Sequence, residues 1–216
     1  CSSDLHIYAI GIGLTDTKEL DGIASKPVDE NRFAVQDFSE LRDLRHKVFS
    51  SLCSGSSPAP RVTEPPPPPT KVVISCANAK IDLVFVLDAS TSVTEPNFEL
   101  MKDFLKDFLY EADIDGGNVR VGVVIYSTEV FVQFQLNTYR SKADVYNAID
   151  DIPYRHGSTN TADGLLTMRT QMFIPSSGDR PDVVNVGVVV TDGVSNINSR
   201  RTIPEAEQAR ADGIHI

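Results

Sequence analysis

Features that would point to several common classes of partner are missing from the 216-residue sequence. Positive charge is in deficit, because 30 acidic residues outnumber 20 basic ones and the net charge is −10. The phosphate backbone dominates the affinity of proteins for nucleic acids, so this balance argues against a DNA or RNA partner. No apolar run approaches the ~20 residues of a membrane-spanning helix, and no basic amphipathic stretch indicates binding at a membrane surface.

Signatures of catalysis and of a disulfide framework are also sparse. The sequence contains neither the Gly-x-Ser-x-Gly turn of many hydrolases nor the Gly-Lys-Ser/Thr loop that binds phosphate. Only three cysteines are present, and that number does not decide the redox compartment. Because the chain starts with Cys1 rather than Met, we expect it to be a fragment that begins inside a domain.

The most informative stretch that is present is an apolar run of strand length followed at once by oxygen-bearing side chains. Residues 81–87 read Ile-Asp-Leu-Val-Phe-Val-Leu, and Asp-Ala-Ser-Thr-Ser follows. A short run this rich in Val, Ile and Phe predicts a strand buried on both faces, as in a parallel sheet. Ligands of such sheets collect beyond the carboxyl ends of the strands. Asp88, Ser90 and Ser92 are therefore candidate ligands of a hard divalent cation, although the same residue types also cap helices.

Two later stretches favour the metal site over a simple helix cap. Residues 186–191, Val-Gly-Val-Val-Val-Thr, predict a second buried strand that ends in a carboxylate. Residues 157–161, Gly-Ser-Thr-Asn-Thr, place hydroxyls at the start of a predicted helix. Taken together, five residues resemble the metal-ion-dependent adhesion site of the von Willebrand factor type A domain family: Asp88, Ser90, Ser92, Thr159 and Asp192.

The resemblance extends to strands elsewhere in the chain, at residues 82–90, 121–127 and 8–13. It implies an α/β fold: a doubly wound, mostly parallel six-stranded sheet with helices on both faces and one antiparallel edge strand. The similarity is to the repeats of matrilins and non-fibrillar collagens. It therefore implies a secreted protein of the extracellular matrix.

The resemblance also implies how the site works. Two carboxylates formally neutralise a bound Mg²⁺, Mn²⁺ or Ca²⁺, while hydroxyls and waters complete the shell without adding charge. Such an ion accepts one more anionic oxygen, which a carboxylate of a matrix protein such as collagen supplies. Asp192 is expected to act through a water molecule. His156 stands where many relatives have Gly, and it is either a solvated loop residue or part of the recognition surface.

Two other functions use the same residues differently. The domain could be a structural spacer repeat with no metal-dependent ligand. It could also be a metal-dependent phosphotransferase or hydrolase with Asp88 as the nucleophile. Aspartate-nucleophile phosphatases of the best-known type carry a second Asp two residues further on, where this chain has Ser90. We therefore expect a binding module rather than an enzyme.

The order of the segments predicts parts of two repeats. Residues 1–53 resemble the C-terminal part of a first domain, and residues 80–216 resemble a second domain that lacks its C-terminal strands and helices. Residues 54–79 form a Ser/Pro-rich linker with five consecutive prolines, either a stiff spacer or a docking motif for an aromatic groove. The sequence near residue 215 repeats that near residue 6, which is typical of a tandem array with neighbouring repeats as partners.

The two parts are predicted to complete each other. Alone, residues 80–216 would leave strand 186–191 with an unpaired edge, so we expect residues 5–53 to dock beside it as in a circular permutant. In extracellular members of the family, cysteines placed like Cys53 and Cys76 commonly form a disulfide. The alternatives are free thiols or pairing with cysteines outside this sequence.

Overall fold

One six-stranded sheet organises the protein, and the computed structural model describes residues 6–44, 47–48 and 80–211. In spatial order the strands are β2-β1-β6-β3-β4-β5, and every neighbouring pair is parallel except β4 and β5. The predicted fold class, including the antiparallel edge strand, is confirmed. The strands are β1 (His6–Ile12), β2 (Arg32–Val35), β3 (Ile81–Asp88), β4 (Val119–Tyr126), β5 (Val130–Phe134) and β6 (Val184–Thr191).

The central strands contain long apolar runs because both faces of the sheet are covered. Side chains alternate between the two faces of a strand. In β3, Phe85 packs into the core on one face, whereas Val84 and Val86 pack into the core on the other. This explains why the strand shows an unbroken apolar run rather than alternating polarity.

Six α-helices lie entirely within the described residues. They are α1 (Lys18–Ile23), α2 (Val28–Asn31), α3 (Glu95–Phe108), α4 (Lys142–Asp150), α5 (Thr161–Thr167) and α6 (Ser199–Ala211). Short 3₁₀ turns occur at Phe38–Glu40, Leu109–Glu111 and Pro175–Ser177, a π-helical turn at Met168–Met172 extends α5, and residues 41–44 are helical. No helix within these ranges combines the length and the apolar character that crossing a membrane requires.

The helices form one layer on each face of the sheet. Helices α3 and α4 cover one face, with side chains such as Phe104 and Ile149 in its core. Helices α1, α5 and α6 cover the other, with Leu20, Leu165 and Ala206. The sheet is therefore a middle layer between two layers of helices.

The predicted docking of the N-terminal segment is confirmed. Strand β1 pairs in parallel with β6, from His6 opposite Val186 to Gly11 opposite Thr191. From α6, the guanidinium of Arg210 donates a hydrogen bond of 2.8 Å to the carbonyl of Ile23. The assignment of this segment to a preceding repeat stays a prediction. Cys1, Cys53, Cys76, the 54–79 linker and residues 212–216 lie outside the described residues.

At the amino ends of the strands, a buried ion pair ties the sheet together. The Asp82 carboxylate is fully buried and accepts hydrogen bonds of 2.8 Å from both the backbone amide and the guanidinium of Arg180. The same guanidinium donates to the carbonyls of Ile81, Asn118 and Gly117 at 2.9 Å each. Burial raises the pKa of Asp82, although the Arg180 guanidinium acts in the opposite direction.

Two capping patterns in the sequence predict helix starts, Thr-x-x-Glu at Thr202 and Ser-x-x-Asp at Ser141, and the first of these predictions is wrong. The Thr-x-x-Glu pattern at Thr202 predicts a cap, but α6 begins three residues earlier, at Ser199. Thr202 lies inside the helix and is fully buried. The turn before the helix is made instead by Asn198, whose positive φ of 53° redirects the backbone and whose carbonyl accepts from the Arg201 amide at 2.7 Å. By contrast, the predicted cap at Ser141 is confirmed, since its hydroxyl accepts from the Asp144 amide at 3.1 Å.

Candidate metal-binding site at the carboxyl end of the sheet

Asp88 forms the floor of the candidate site. It is the last residue of β3 and is fully buried. One carboxylate oxygen accepts a hydrogen bond of 2.9 Å from the Ser90 amide, and the other accepts one of 2.9 Å from the Thr191 hydroxyl. Burial raises the pKa of Asp88 to about 6, and the charge of Asp192 adds to this, while the hydrogen bonds from Ser90 and Thr191 oppose it.

Three more of the predicted residues form a continuous chain of contacts above Asp88. The hydroxyl oxygens of Ser90 and Ser92 lie 3.1 Å apart, and the Ser92 hydroxyl donates to Asp192 Oδ1 at 2.8 Å. Asp192 directly follows β6, the sheet neighbour of β3. Burial raises the pKa of Asp192, and the Ser92 hydrogen bond acts against that rise. The sheet order thus brings together two carboxylates and two hydroxyls from neighbouring strand ends.

Thr159, the fifth predicted residue, is buried in an adjacent loop. That loop is bound to the β3–α3 loop by two hydrogen bonds, from the Thr91 amide to the Gly157 carbonyl at 2.9 Å and from the Gly157 amide to the Thr91 hydroxyl at 2.8 Å. Within the described part of the chain, no hydrogen bond joins the Thr159 side chain to the other four predicted residues. Its backbone is held by residues 195–197.

The loop before Thr159 has a constrained backbone. His156 and Gly157 both have positive φ, 59° and 106°. A Cβ at Gly157 would lie 2.6 Å from the Thr128 hydroxyl, so the close approach of these two loops requires glycine. The His156 ring is exposed and contacts the Tyr154 ring edge-on, with centroids 4.2 Å apart. The Tyr154 hydroxyl donates to the Ser90 carbonyl at 2.9 Å, which ties this loop to the site.

Two contributions to the site were missed in the sequence. Thr191 orients the Asp88 carboxylate, and its signal is a single hydroxyl residue at the end of a Val-rich strand, next to Asp192. Asn196 accepts from the Thr159 amide through its side-chain oxygen at 2.9 Å. It lies in a polar loop whose sequence carries no periodic signal. Partners of this kind, which hold a ligand rather than the metal, commonly tune metal sites.

The donor set fits a hard divalent cation. It consists of oxygen atoms only, which is the chemistry that Mg²⁺, Mn²⁺ and Ca²⁺ prefer. Among the described residues no cluster of three or more His, Cys, Asp and Glu side chains could hold a metal, so any ion here depends on hydroxyls as well as on two carboxylates. Two carboxylates at a partly buried position repel each other, and a cation would relieve that repulsion.

The comparison with protein families agrees with this geometry. The family model of the von Willebrand factor type A domain matches residues 82–216. The chain belongs to the von Willebrand factor type A domain family. The match begins within β3 and includes every residue predicted to bind metal, whereas the docked N-terminal segment lies outside it.

The relatives of this type A domain are secreted extracellular matrix proteins. The collagen alpha-4(VI) chain of Mus musculus is 33% identical over 212 residues, which cover 98% of this chain and 8% of the relative. Matrilin-1 of Homo sapiens is 32% identical over 219 residues, covering 90% of this chain and 44% of the relative. These relatives confirm the predicted extracellular matrix location. The chain spans only a small part of the collagen VI chains and less than half of matrilin-1.

A solved structure with a related sequence holds a metal. It is the proximal thread matrix protein 1 of the mussel byssus, with zinc in its metal-ion-dependent adhesion site (MIDAS) motif. Its sequence is 28% identical to this chain, and the two structures superpose with a TM-score of 0.57. The alignment covers 96% of this chain and 48% of that chain. Divalent metal binding by a type A domain of a matrix protein is thus directly represented among the structural neighbours.

Proposed function

We propose that this type A domain is an adhesion module of an extracellular matrix protein that binds its partner through a divalent metal. The metal would be held by the five residues predicted above: Asp88, Ser90, Ser92, Thr159 and Asp192. The observation that carries the proposal is the continuous contact chain from Asp88 through Ser90 and Ser92 to Asp192. A matrix protein such as collagen would provide the carboxylate that completes the metal shell.

Each part of the site has a separate task in this proposal. The bound ion supplies an open coordination position for one external oxygen. Asp88, buried and fixed by Thr191, provides a rigid anchor. Ser90 and Ser92 present neutral oxygens, so that the charge of a divalent cation is balanced by two carboxylates alone. Asp192 already accepts from Ser92 at 2.8 Å and is suited to act through a water molecule.

Because the protein is negatively charged overall, a carboxylate-bearing ligand needs a local positive charge, which a bound metal ion would supply. A net charge of −10 repels a carboxylate-bearing partner at long range. At physiological ionic strength that repulsion is screened beyond about 8 Å. A cation at the carboxyl end of the sheet would then supply a local attraction that the rest of the surface does not. Mg²⁺ and Mn²⁺ are the ions we propose, with Ca²⁺ as a further candidate.

We also propose that the chain contains parts of two consecutive type A domains. Residues 1–53 would be the C-terminal part of one repeat, residues 54–79 a linker, and residues 80–216 the body of the next repeat. The pairing of β1 with β6 supports this, because the segment supplies strands and helices at the position where the body has an open sheet edge. In a tandem array, each such segment would complete its own preceding repeat.

A binding assay with immobilised collagens tests the proposed function. Wild-type protein should bind in Mg²⁺ or Mn²⁺ and lose binding in EDTA, and Asp88→Ala should not bind in either condition. Asp182→Ala is a matched control, since it removes an exposed carboxylate just before β6, at the opposite end of the sheet. Equal binding of wild-type protein in Mg²⁺ and in EDTA would refute the adhesion mechanism.

The wild-type protein and two further variants test the catalytic alternative. A binding module should show no turnover of phosphoesters or peptides in Mg²⁺ above the background of Ser90→Ala and Asp192→Ala. Turnover that disappears in both variants would instead support a metal-dependent hydrolase or phosphotransferase.

A further inference from the structure

The backbone of Thr159 is held by one short loop, residues 193–197, which follows β6. The Thr159 carbonyl accepts from the amides of Asn196 and Ile197 at 3.0 and 3.1 Å and from the Ser195 hydroxyl at 3.2 Å. The Thr159 amide donates to the Asn196 side chain at 2.9 Å. Four hydrogen bonds therefore make the position of Thr159 depend on the position of this loop.

The loop is in turn held by a residue of the docked N-terminal segment. Both carboxylate oxygens of Glu19, in α1, accept from the Ser195 amide, at 3.0 and 3.2 Å. Ser195 is 4% exposed, and its hydroxyl shares its one proton between the Thr159 carbonyl and the Ile197 carbonyl, the latter at 2.9 Å. A hydrogen bond to a carboxylate is stronger than one between neutral groups. Without Glu19, a buried amide would lose its partner, which favours a shift of the loop.

We propose that Glu19 is a positioning residue for the metal site, acting through Ser195 and the 193–197 loop on Thr159. This inference rests on the proposed function, since it concerns the same five-residue site. It adds that, in this chain, the site is complete only when residues of the N-terminal segment are docked. The segment thus contributes to ligand binding as well as to the edge of the sheet.

The positioning role can be separated from the docking of the segment. The β1–β6 ladder fixes the segment along the whole strand, and Arg210 ties it to α6 through the carbonyls of Ile23 and Gly22, at 2.8 and 3.2 Å. Neither contact reaches the 193–197 loop. Arg210→Ala therefore removes a contact between segment and body, as Glu19→Ala does, but it leaves the connection to Thr159 in place.

The first measurement uses metal-free protein and amide NMR. Glu19→Ala should shift the amide signals of Thr159, Asn196 and Ser195 and speed exchange of the Ser195 amide. Arg210→Ala should leave the Thr159 and Asn196 signals unchanged. Unshifted Thr159 and Asn196 signals in Glu19→Ala would overturn the proposed positioning role without reference to any metal.

The second measurement is Mn²⁺ affinity by calorimetry on the full chain, well below the unfolding temperature. Partners in contact with a metal ligand commonly change affinity by about 10–100-fold, so Glu19, one step further away, should change it by about threefold to tenfold. Glu19→Gln keeps an acceptor oxygen and should lose less than Glu19→Ala. Arg210→Ala should bind Mn²⁺ as the wild type does.

A double-mutant cycle with Ser195→Ala completes the test. Ser195→Ala removes the hydroxyl contact to Thr159, so the effects of Glu19→Ala and Ser195→Ala on Mn²⁺ affinity should be less than additive if they act along one path. If wild-type protein binds Mn²⁺ and Glu19→Ala binds equally well, the positioning role is wrong while the proposed function stands. If wild-type protein does not bind Mn²⁺, the proposed function itself fails.

Discussion

The hydroxyl of Ser92 donates a 2.8 Å hydrogen bond to Asp192, a residue one hundred positions away in the sequence. The contact joins the loop after β3 to the end of β6, which are neighbours in the sheet. It closes the chain of polar contacts that begins at buried Asp88. The site is therefore assembled by the strand order rather than by any local segment.

Ser92→Ala tests the importance of that contact for metal binding. We expect Mn²⁺ affinity to fall at least about 10-fold, since even partners that only support a ligand commonly have effects of that size. Stability of the metal-free protein should change by less than about 0.5 kcal/mol, because Ser92 is exposed. Calorimetry and urea unfolding measure the two quantities. The control is Ser176→Ala, which changes an exposed serine in the turn before β6. Equal Mn²⁺ affinity of the Ser92→Ala and Ser176→Ala variants would contradict the proposed role of Ser92.

Divalent metal should stabilise the folded protein. A ligand present at 100 times its Kd stabilises a one-site protein by about 2.7 kcal/mol, so Mg²⁺ or Mn²⁺ should raise the Tm of the wild type in scanning calorimetry. Asp88→Ala should show no such increase, and its metal-free form should still unfold cooperatively. An identical increase in both proteins would show that the metal binds elsewhere.

Removal of Arg180 should destabilise the domain strongly and leave the metal site intact. Arg180→Ala leaves the fully buried Asp82 carboxylate without its cation, and breaking a buried ion pair typically costs about 3–5 kcal/mol. Urea unfolding measures the loss, with exposed Arg200→Ala as the control. Because Arg180 lies at the opposite end of the strands, Mn²⁺ affinity at low temperature should not change. A loss of stability no larger than that of Arg200→Ala would contradict this role of the buried ion pair between Asp82 and Arg180.

Stability should depend on pH through Glu19. Burial raises the pKa of Glu19 above its ordinary value of 4.5, while the hydrogen bond from Ser195 lowers it. The folded state therefore holds the Glu19 proton more tightly than the unfolded chain does. The resulting stabilisation is present below the ordinary pKa and is lost as the pH rises through the raised one. In urea unfolding with EDTA present, the free energy of unfolding of the wild type should fall relative to that of Glu19→Gln as the pH rises through this range. A difference between the two proteins that stays constant, or that grows in favour of the wild type, would contradict the predicted direction.

Much of the fold could be predicted because its strands are buried on both faces. The apolar runs of β3 and β6 lack the alternation of polar and apolar residues that a half-exposed strand shows, so they predict burial on both faces. Each run is followed by a carboxylate that marks the carboxyl end of its strand. The open edge of residues 184–191 in turn predicts where β1 pairs. The resemblance to a known family supplied the doubly wound, mostly parallel arrangement of the strands, which the runs alone do not specify.

Contacts made by single polar side chains could not be predicted from the sequence, because they do not produce a repeating pattern along the chain. Glu19 lies 176 residues from Ser195, and its pattern on α1 is that of an ordinary surface residue. The start of α6 was misplaced because a Thr-x-x-Glu pair is a local signal, whereas burial of Thr202 under tertiary packing decides the outcome. Thr159 was identified by resemblance, and the loop that holds it carries no signal of its own.

Anomalous diffraction from a crystal grown with Mn²⁺ tests the central claim most directly. The account predicts one strong anomalous peak at the carboxyl end of β3, within direct coordination distance of the Ser90 and Ser92 hydroxyl oxygens and close to Asp88, Thr159 and Asp192. The peak should be absent from crystals of Asp88→Ala grown in the same solution. A map of the wild type with no peak there, or with its only peaks elsewhere on the molecule, would contradict the claim that these five residues form a metal site.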